Sequence, residues 1–179
     1  MKTAIILTGL PASGKAALGH ALARQLSWPC LVRNDFLEVL SARAGEAGPE
    51  QLRQLNRDSD RLFQTAAEAL DCCVLVAQWQ PRGAGAGSGT PAGWLQRYDT
   101  VVEVHCACSA SDAAERFCAR IEPQEGPDHA RRCAGVLQRM RDLEDGYPLQ
   151  AGRLISVPCG PGFDAEQLGR DVAAEIAEG

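Results

Sequence analysis

Apolar runs alternate with helix-length amphipathic segments along the chain. Residues 3–8 (Thr-Ala-Ile-Ile-Leu-Thr) form a short apolar run that predicts a buried strand, and residues 15–27 set Leu18, Leu22 and Leu26 four apart, predicting a helix with one apolar face. Cys30 to Val32 predicts a short second strand, and a helical stretch opens at Asp35 and reaches Ser41. Pro49 suits the first turn of a long helix ending near Leu70. Residues 72–77 (Cys-Cys-Val-Leu-Val-Ala) are continuously apolar, as a strand covered on both faces should be. The glycine-rich stretch from Gln80 to Gly93, which includes Pro81 and Pro91, predicts a loop. Val101 to Cys106 predicts the next strand. A helix from about Ser111 to Ile121 follows, with Ser111 as a simple cap because Ala114 stands where a capping box needs Glu. Prolines and a glycine interrupt the pattern at Glu122 to Asp128, a basic helix runs from His129 to Glu144, Leu154 to Val157 predicts a last strand, and Asp164 caps a C-terminal helix.

Alternating strands and helices imply a mainly parallel sheet with helices on both faces, an α/β architecture. Ligands of such sheets bind beyond the carboxyl ends of the strands. The loops at 9–15, 33–35, 78–93 and 157–162 should therefore converge on one site. No internal repeat or linker divides the chain, so residues 1–179 read as one domain.

The first predicted strand ends in Gly9-Leu10-Pro11-Ala12-Ser13-Gly14-Lys15, and Lys15 opens a helix. This is the G-x-x-x-x-G-K spacing of a phosphate-binding loop, in the strand-to-helix context that the chemistry requires. Glycines let the backbone fold round phosphates, amide N–H groups point inward, the helix N-terminus adds a positive field, and the lysine reaches the terminal phosphates. Two features depart from the pattern. The position that usually supplies a magnesium-binding hydroxyl is Ala16, followed by Ala17, and the third strand runs into Ala77 and Gln78 where an Asp often helps to hold magnesium. No side chain is therefore assigned to a metal, and Mg²⁺ is expected on the nucleotide phosphates alone.

Composition narrows the partners. A net charge of −5 with 23% charged residues argues against a nucleic-acid backbone as the main partner. No apolar stretch reaches 18 residues, so nothing spans a bilayer as a helix, and Ala4 to Leu7 is too short for a signal-peptide core. The eight cysteines contain no C-x-x-C pair and read as free thiols in a reducing, cytoplasmic setting. His129 and Cys133 are four apart on a predicted helix, a metal-like spacing without enough partners.

The loop Gly9 to Lys15, with Asp35 in Arg33-Asn34-Asp35-Phe36-Leu37, resembles the zeta-toxin, polynucleotide-kinase and chloramphenicol-phosphotransferase group of P-loop kinases. The stretches Glu103 to Cys106, Glu115-Arg116-Phe117 with Arg120, and Gly89-Thr90-Pro91 with Trp94-Leu95 look like sequences termed AAA family ATPases or kinases of that group. The resemblance implies a three-layer P-loop NTPase fold with a five-stranded sheet and a helical lid over about 116–145. It implies ATP or GTP as phosphoryl donor, with Mg²⁺, and a small hydroxyl-bearing acceptor, an antibiotic or nucleoside among the options. Gly9, Leu10, Pro11, Ala12, Ser13, Gly14, Lys15, Ala16 and Ala17 would then bind nucleotide, with Arg116 and Arg120 at the lid edge and Gly160 and Pro161 bordering the base. Lys15, Asp35 and Arg120 would carry catalysis, Asp35 by taking or orienting the acceptor proton. Asp35, Trp79 and Arg82 would meet the acceptor, and Arg131 and Arg132 would contact phosphate from the lid.

Plainer readings stand beside these. Asp35 could only cap a helix starting at Phe36, Trp79 could be packing, Arg131 and Arg132 could be solvated helix surface, and His105, alternating with apolar neighbours, reads as a structural histidine. Two functions remain open: a phosphotransferase, and a nucleotide-binding switch with little catalysis, the latter because of Ala16 and Ala77. The sequence leaves the oligomeric state open.

Overall fold

A computed structural model describes residues 1–120, 127–158 and 164–178. Five strands, β1 (Thr3–Thr8), β2 (Cys30–Val32), β3 (Cys72–Val76), β4 (Thr100–Ala107) and β5 (Arg153–Pro158), form one sheet in the order β2-β3-β1-β4-β5. Every neighbouring pair is parallel. The helices are α1 (Lys15–Leu26), α2 (Arg33–Ala44), α3 (Pro49–Glu68), α4 (Ala110–Arg120), α5 (Pro127–Glu144) and α6 (Ala165–Ala177).

The period-2 pleat sends alternate residues of each strand to opposite faces. Ile5 and Leu7 of β1 and Val74 and Val76 of β3 pack against Leu18 and Leu22 of α1 and Leu168 and Val172 of α6. Ala4, Ile6, Cys73 and Leu75 face the other way, onto Phe63 of α3, Met140 of α5, and Trp79 and Trp94. Helices thus cover both faces, the three-layer α/β arrangement expected from the alternation. Phe63, Trp79 and Trp94 lie with ring centroids 6.0–6.1 Å apart and anchor the second face. Each such aromatic contributes on the order of 1.5–3 kcal/mol by burial.

Most elements follow the hydrophobic pattern, and three details differ. Helix α2 begins at Arg33, two residues before Asp35, because the Arg33 guanidinium is drawn onto α3. Its Nε donates to Asp60 Oδ1 at 2.9 Å and its Nη2 to the Asn56 carbonyl and side chain at 3.0 and 2.9 Å. Helix α4 begins at Ala110, and its cap is Ser109, whose hydroxyl accepts from Asp112 N at 3.0 Å, so Ser111 lies inside the helix. The end of the glycine-rich loop runs into a short 3-10 helix, Gly93–Arg97, which seats Trp94 and Leu95 in the core. Asp164 caps α6 as expected, accepting from Glu166 N and Gln167 N.

A buried carboxylate fixes the chain beyond α5. Glu103 of β4, with no exposed surface, accepts from Thr8 Oγ1 at 2.7 Å, Leu149 N at 2.6 Å and Ala151 N at 3.0 Å. Buried charge demands such satisfaction. Here it pins residues 149–151 against the sheet.

Candidate functional site

The chain leaves β1 at Thr8 and turns at once. Gly9 has φ +130°, and a Cβ there would lie 2.6 Å from the Cys106 carbonyl oxygen, so a side chain is excluded twice over. Ser13 N closes the turn on the Leu10 carbonyl at 3.2 Å. Gly14 is left-handed at φ 94° and forms the N-cap of α1, where no side chain supplies a capping hydrogen bond. No capping side chain competes with a ligand there, and the helix field favours an anion.

Lys15, only 8% exposed, folds its side chain back under this loop. Its Nζ donates to the carbonyls of Gly9 at 2.9 Å and Leu10 at 2.7 Å, and to Gln78 Oε1 at 3.5 Å. The ammonium is thus held at the loop centre by weak neutral acceptors, which an incoming phosphate outcompetes as a charged partner.

Two hollows flank the loop. The larger, about 630 Å³, has Pro11, Ala12 and Gly14 to Ala17 as its floor, Val32 and Asn34 on one wall, Val76 to Gln78 on another, and Phe117 and Arg120 opposite. The smaller, about 210 Å³, lies between Ala12 to Gly14, Cys106, Val157 and Pro158, with Arg116 and Arg120 at its edge. Arg120 borders both. The larger falls within the size range of small-ligand sites. The first loop and the ends of β2, β3 and β5 thus meet at these hollows through Asn34, Gln78, Val157 and Pro158; of the stretch 78–93 only Gln78 lines them, and residues 159–162 lie outside the described residues.

The remaining sequence candidates divide. Asp35 is exposed in the first turn of α2, one residue past Asn34, where its charge complements the helix field. It is not the cap of a helix starting at Phe36, since α2 already runs from Arg33. Trp79 does not present itself to an acceptor: it has no exposed surface, and its indole N–H donates to the Leu7 carbonyl at 2.9 Å. Arg82 turns away as well. Its guanidinium donates to the carbonyls of Pro148 at 2.8 Å and Asp145 at 3.4 Å, strapping the β3 exit to the segment after α5. Arg131 is 83% exposed and pairs with Asp128 at 3.6 Å within its own helix, and Arg132 is also exposed on α5; neither borders the two hollows. Gly160 and Pro161 lie outside the described residues.

No side-chain metal site accompanies the loop. Ala16 and Ala17 border the larger hollow without a hydroxyl, and Ala77 is buried beside it. Among the described residues no group of three or more His, Cys, Asp or Glu could hold a metal ion. The residues present therefore do not fit a resident magnesium ion, which leaves phosphate oxygens as the available ligands.

Gln78 has no assigned role by sequence, and the structure brings it to the centre. Besides its contact with Lys15, its Nε2 donates to Tyr147 Oη at 2.7 Å, and that hydroxyl donates to the Trp79 carbonyl at 2.6 Å. Its position at the end of β3, where a magnesium-linked Asp often stands, was the one available signal. His105 is structural as expected, with Nδ1 3.2 Å from Thr8 Oγ1 and its ring stacked on Tyr147 at 6.4 Å. Burial, aided by the Lys15 charge and opposed by Glu103, lowers its pKa.

No family model matches the sequence. No curated protein matches it either. Solved structures do. A protein of Chloroflexus aurantiacus J-10-fl named as a candidate kinase superposes with a TM-score of 0.76 at 22% identity, over 97% of this chain and 98% of that one. A shikimate kinase from Bacteroides thetaiotaomicron gives 0.57 at 16% identity, covering 98% of each chain. A gluconokinase from Sinorhizobium meliloti 1021 gives 0.56 at 15% identity, over 98% of this chain and 92% of that one. Likeness at these identities is one of fold: the chain shares the three-layer α/β fold of these kinases.

Proposed function

We propose that the chain is a kinase that transfers the γ-phosphoryl group of ATP or GTP to a hydroxyl of a small molecule. The observation that carries this reading is Lys15, buried at the head of α1 between the Gly9 and Leu10 carbonyls, beneath a backbone loop that opens into the larger hollow. Phosphoryl transfer asks little covalent chemistry of a protein and much positioning of charge. Residues 9–17 hold the phosphates by backbone and lysine. Arg120, bordering both hollows, stabilises charge on the transferring group. Arg116, beside Val157 and Pro158, borders the base; Gly160 and Pro161, which the resemblance also assigns to the base, lie outside the described residues. Asp35, next to Asn34 of the larger hollow though not itself lining it, takes or orients the acceptor proton. Mg²⁺ rides on the phosphates.

The motif pair Gly9 to Lys15 and Arg33 to Asp35 supports narrower membership of the zeta-toxin and chloramphenicol-phosphotransferase group. Residues 116–145 act as the lid of one domain, and the setting is cytoplasmic. No helix among the described residues is long and apolar enough to cross a membrane. Gluconokinase and shikimate kinase among the structural neighbours widen the acceptor classes to be screened beyond antibiotics and nucleosides.

The test is incubation with γ-labelled ATP or GTP, Mg²⁺ and a panel of sugars, sugar acids, shikimate, nucleosides and hydroxyl-bearing antibiotics. Label should reach one acceptor class, and Lys15→Ala should weaken triphosphate binding by about 10- to 100-fold, the loss of a charge-assisted phosphate contact. Unchanged uptake by Lys15→Ala overturns the site. A second reading, a nucleotide-binding switch with little turnover, is favoured by the missing hydroxyls at Ala16 and Ala17. It predicts triphosphate affinity indifferent to Mg²⁺ and label that stays on nucleotide.

A further inference from the structure

Gln78 reaches Lys15 through an amide that can face only one way. Its backbone is fixed just past the end of β3, where Thr90 N donates to the Gln78 carbonyl at 2.8 Å and Gln80 N donates to the Thr90 carbonyl at 2.9 Å. Its side chain is fixed by Tyr147. The Tyr147 hydroxyl has a single proton, and the Trp79 carbonyl oxygen 2.6 Å away can only accept it. Burial holds the Tyr147 phenol above its ordinary pKa range, so that proton stays in place. The phenol oxygen is left to accept, and Gln78 Nε2 donates to it at 2.7 Å. The amide oxygen is thereby turned the other way, onto Lys15 Nζ. The far end of this chain of contacts is firmly seated. Trp79 has no exposed surface and bonds the Leu7 carbonyl through its indole N–H, and the Tyr147 ring stacks on His105.

The lengths of the lysine contacts give this orientation a direction. Lys15 Nζ lies 2.9 and 2.7 Å from the Gly9 and Leu10 carbonyls but 3.5 Å from Gln78 Oε1. Lys15 and Gln78 both line the larger hollow, whereas neither Gly9 nor Leu10 does. An ammonium that leaves the two carbonyls for a phosphate in that hollow therefore moves toward Gln78, and the long contact closes.

We propose that Tyr147 and Gln78 are positioning residues for the triphosphate: Tyr147 locks the Gln78 amide, and the Gln78 oxygen holds the Lys15 ammonium on the hollow side of the loop, where it meets the terminal phosphates. A neutral amide suits this task. It directs the ammonium without cancelling the charge that the phosphates need, as a carboxylate at the same place would. Tyr147 acts only through Gln78, and Gln78 only through Lys15. The proposal rests on the nucleotide-site reading above.

The experiment titrates ATP, and separately GTP, into the full chain with Mg²⁺ by calorimetry, for the wild type, Gln78→Met, Tyr147→Phe and the double variant. Methionine keeps the approximate length of glutamine without its polar atoms. Gln78→Met should weaken binding of the preferred triphosphate by about fivefold, the loss of one hydrogen bond to a charged group. Tyr147→Phe lets the amide turn its NH2 toward Lys15 and should cost about the same alone, yet less than about twofold when added to Gln78→Met. A tyrosine that merely supports the fold would instead weaken binding by the same factor in either background, and that result overturns the lock. Unchanged or tighter binding by Gln78→Met overturns the role of the amide. Gln78→Met leaves the Tyr147–Trp79 bond in place, so it decides that role even where Tyr147→Phe does not fold. A wild type that takes up neither triphosphate refutes the nucleotide site itself, whereas a wild type that binds no better than Gln78→Met refutes only the positioning.

Discussion

Replacing Glu103 by Gln tests whether one buried carboxylate holds the far side of the site. Thr8 Oγ1 and Leu149 N both donate to its Oε1, at 2.7 and 2.6 Å, and Ala151 N donates to Oε2 at 3.0 Å. An amide oxygen in the Oε1 position keeps two of these bonds but strips them of charge assistance, about 1 kcal/mol each. The amide nitrogen then faces Ala151 N–H, two donors with no acceptor between them, and a buried unsatisfied donor costs about 1–3 kcal/mol. The sum is about 3–5 kcal/mol, a large share of the 5–15 kcal/mol that holds a typical domain together. For a chain of this size it corresponds to a fall in Tm of about 6–20 °C. Urea titration and thermal melting followed by circular dichroism measure it, with the exposed Glu115→Gln on α4 as the control. A fall of less than about 2 °C, or equal falls in variant and control, would show that the carboxylate does not anchor residues 149–151.

Three further outcomes are expected. Ala16→Ser restores the missing hydroxyl at the hollow, and triphosphate affinity should become more dependent on Mg²⁺ by about tenfold, read by calorimetry with and without the ion. His105, whose folded pKa lies below the ordinary value near 6.5, resists protonation that the unfolded chain accepts, so stability should fall as pH drops below about 6.5. Urea midpoints against pH should show this slope in the wild type and a shallower one in His105→Gln. Gly9→Ala places a methyl 2.6 Å from the Cys106 carbonyl in a left-handed backbone, and should abolish triphosphate binding or destabilise the chain by about 1–3 kcal/mol; an unaffected variant would contradict the geometry.

The glycine loop from Gly9 to Lys15 was legible in the sequence because its whole pattern sits within seven consecutive residues flanked by a strand and a helix. The strands were legible for a related reason, since a two-faced buried strand writes its own apolar run, as residues 3–8 and 72–77 do. What stayed hidden depends on partners far apart in the chain. Glu103 meets Leu149 46 positions on, and Tyr147 meets Gln78 across 69. No local pattern encodes either. Trp79 shows the converse limit: an aromatic at the mouth of a strand reads equally well as a ligand platform or as core, and only the Leu7 carbonyl waiting for its N–H decides. Arg82 and Arg131 were chosen for their charge, but the carbonyls and carboxylate that engage them come from folded geometry and helix spacing.

Asp60 of α3 accepts from Arg33 at the head of α2 and from the Thr90 hydroxyl, at 2.9 and 2.8 Å. Thr90 in turn bridges to Trp79 just beyond β3. The long glycine-rich excursion, which looks like spare surface suitable for tags or deletions, is therefore moored to the same carboxylate that seats the helix bearing Asp35. Trimming it would be no neutral edit, and a protein engineer seeking an insertion point should look instead to the Gly45–Gly48 connection, whose two glycines meet no neighbour within 4 Å of where a Cβ would stand.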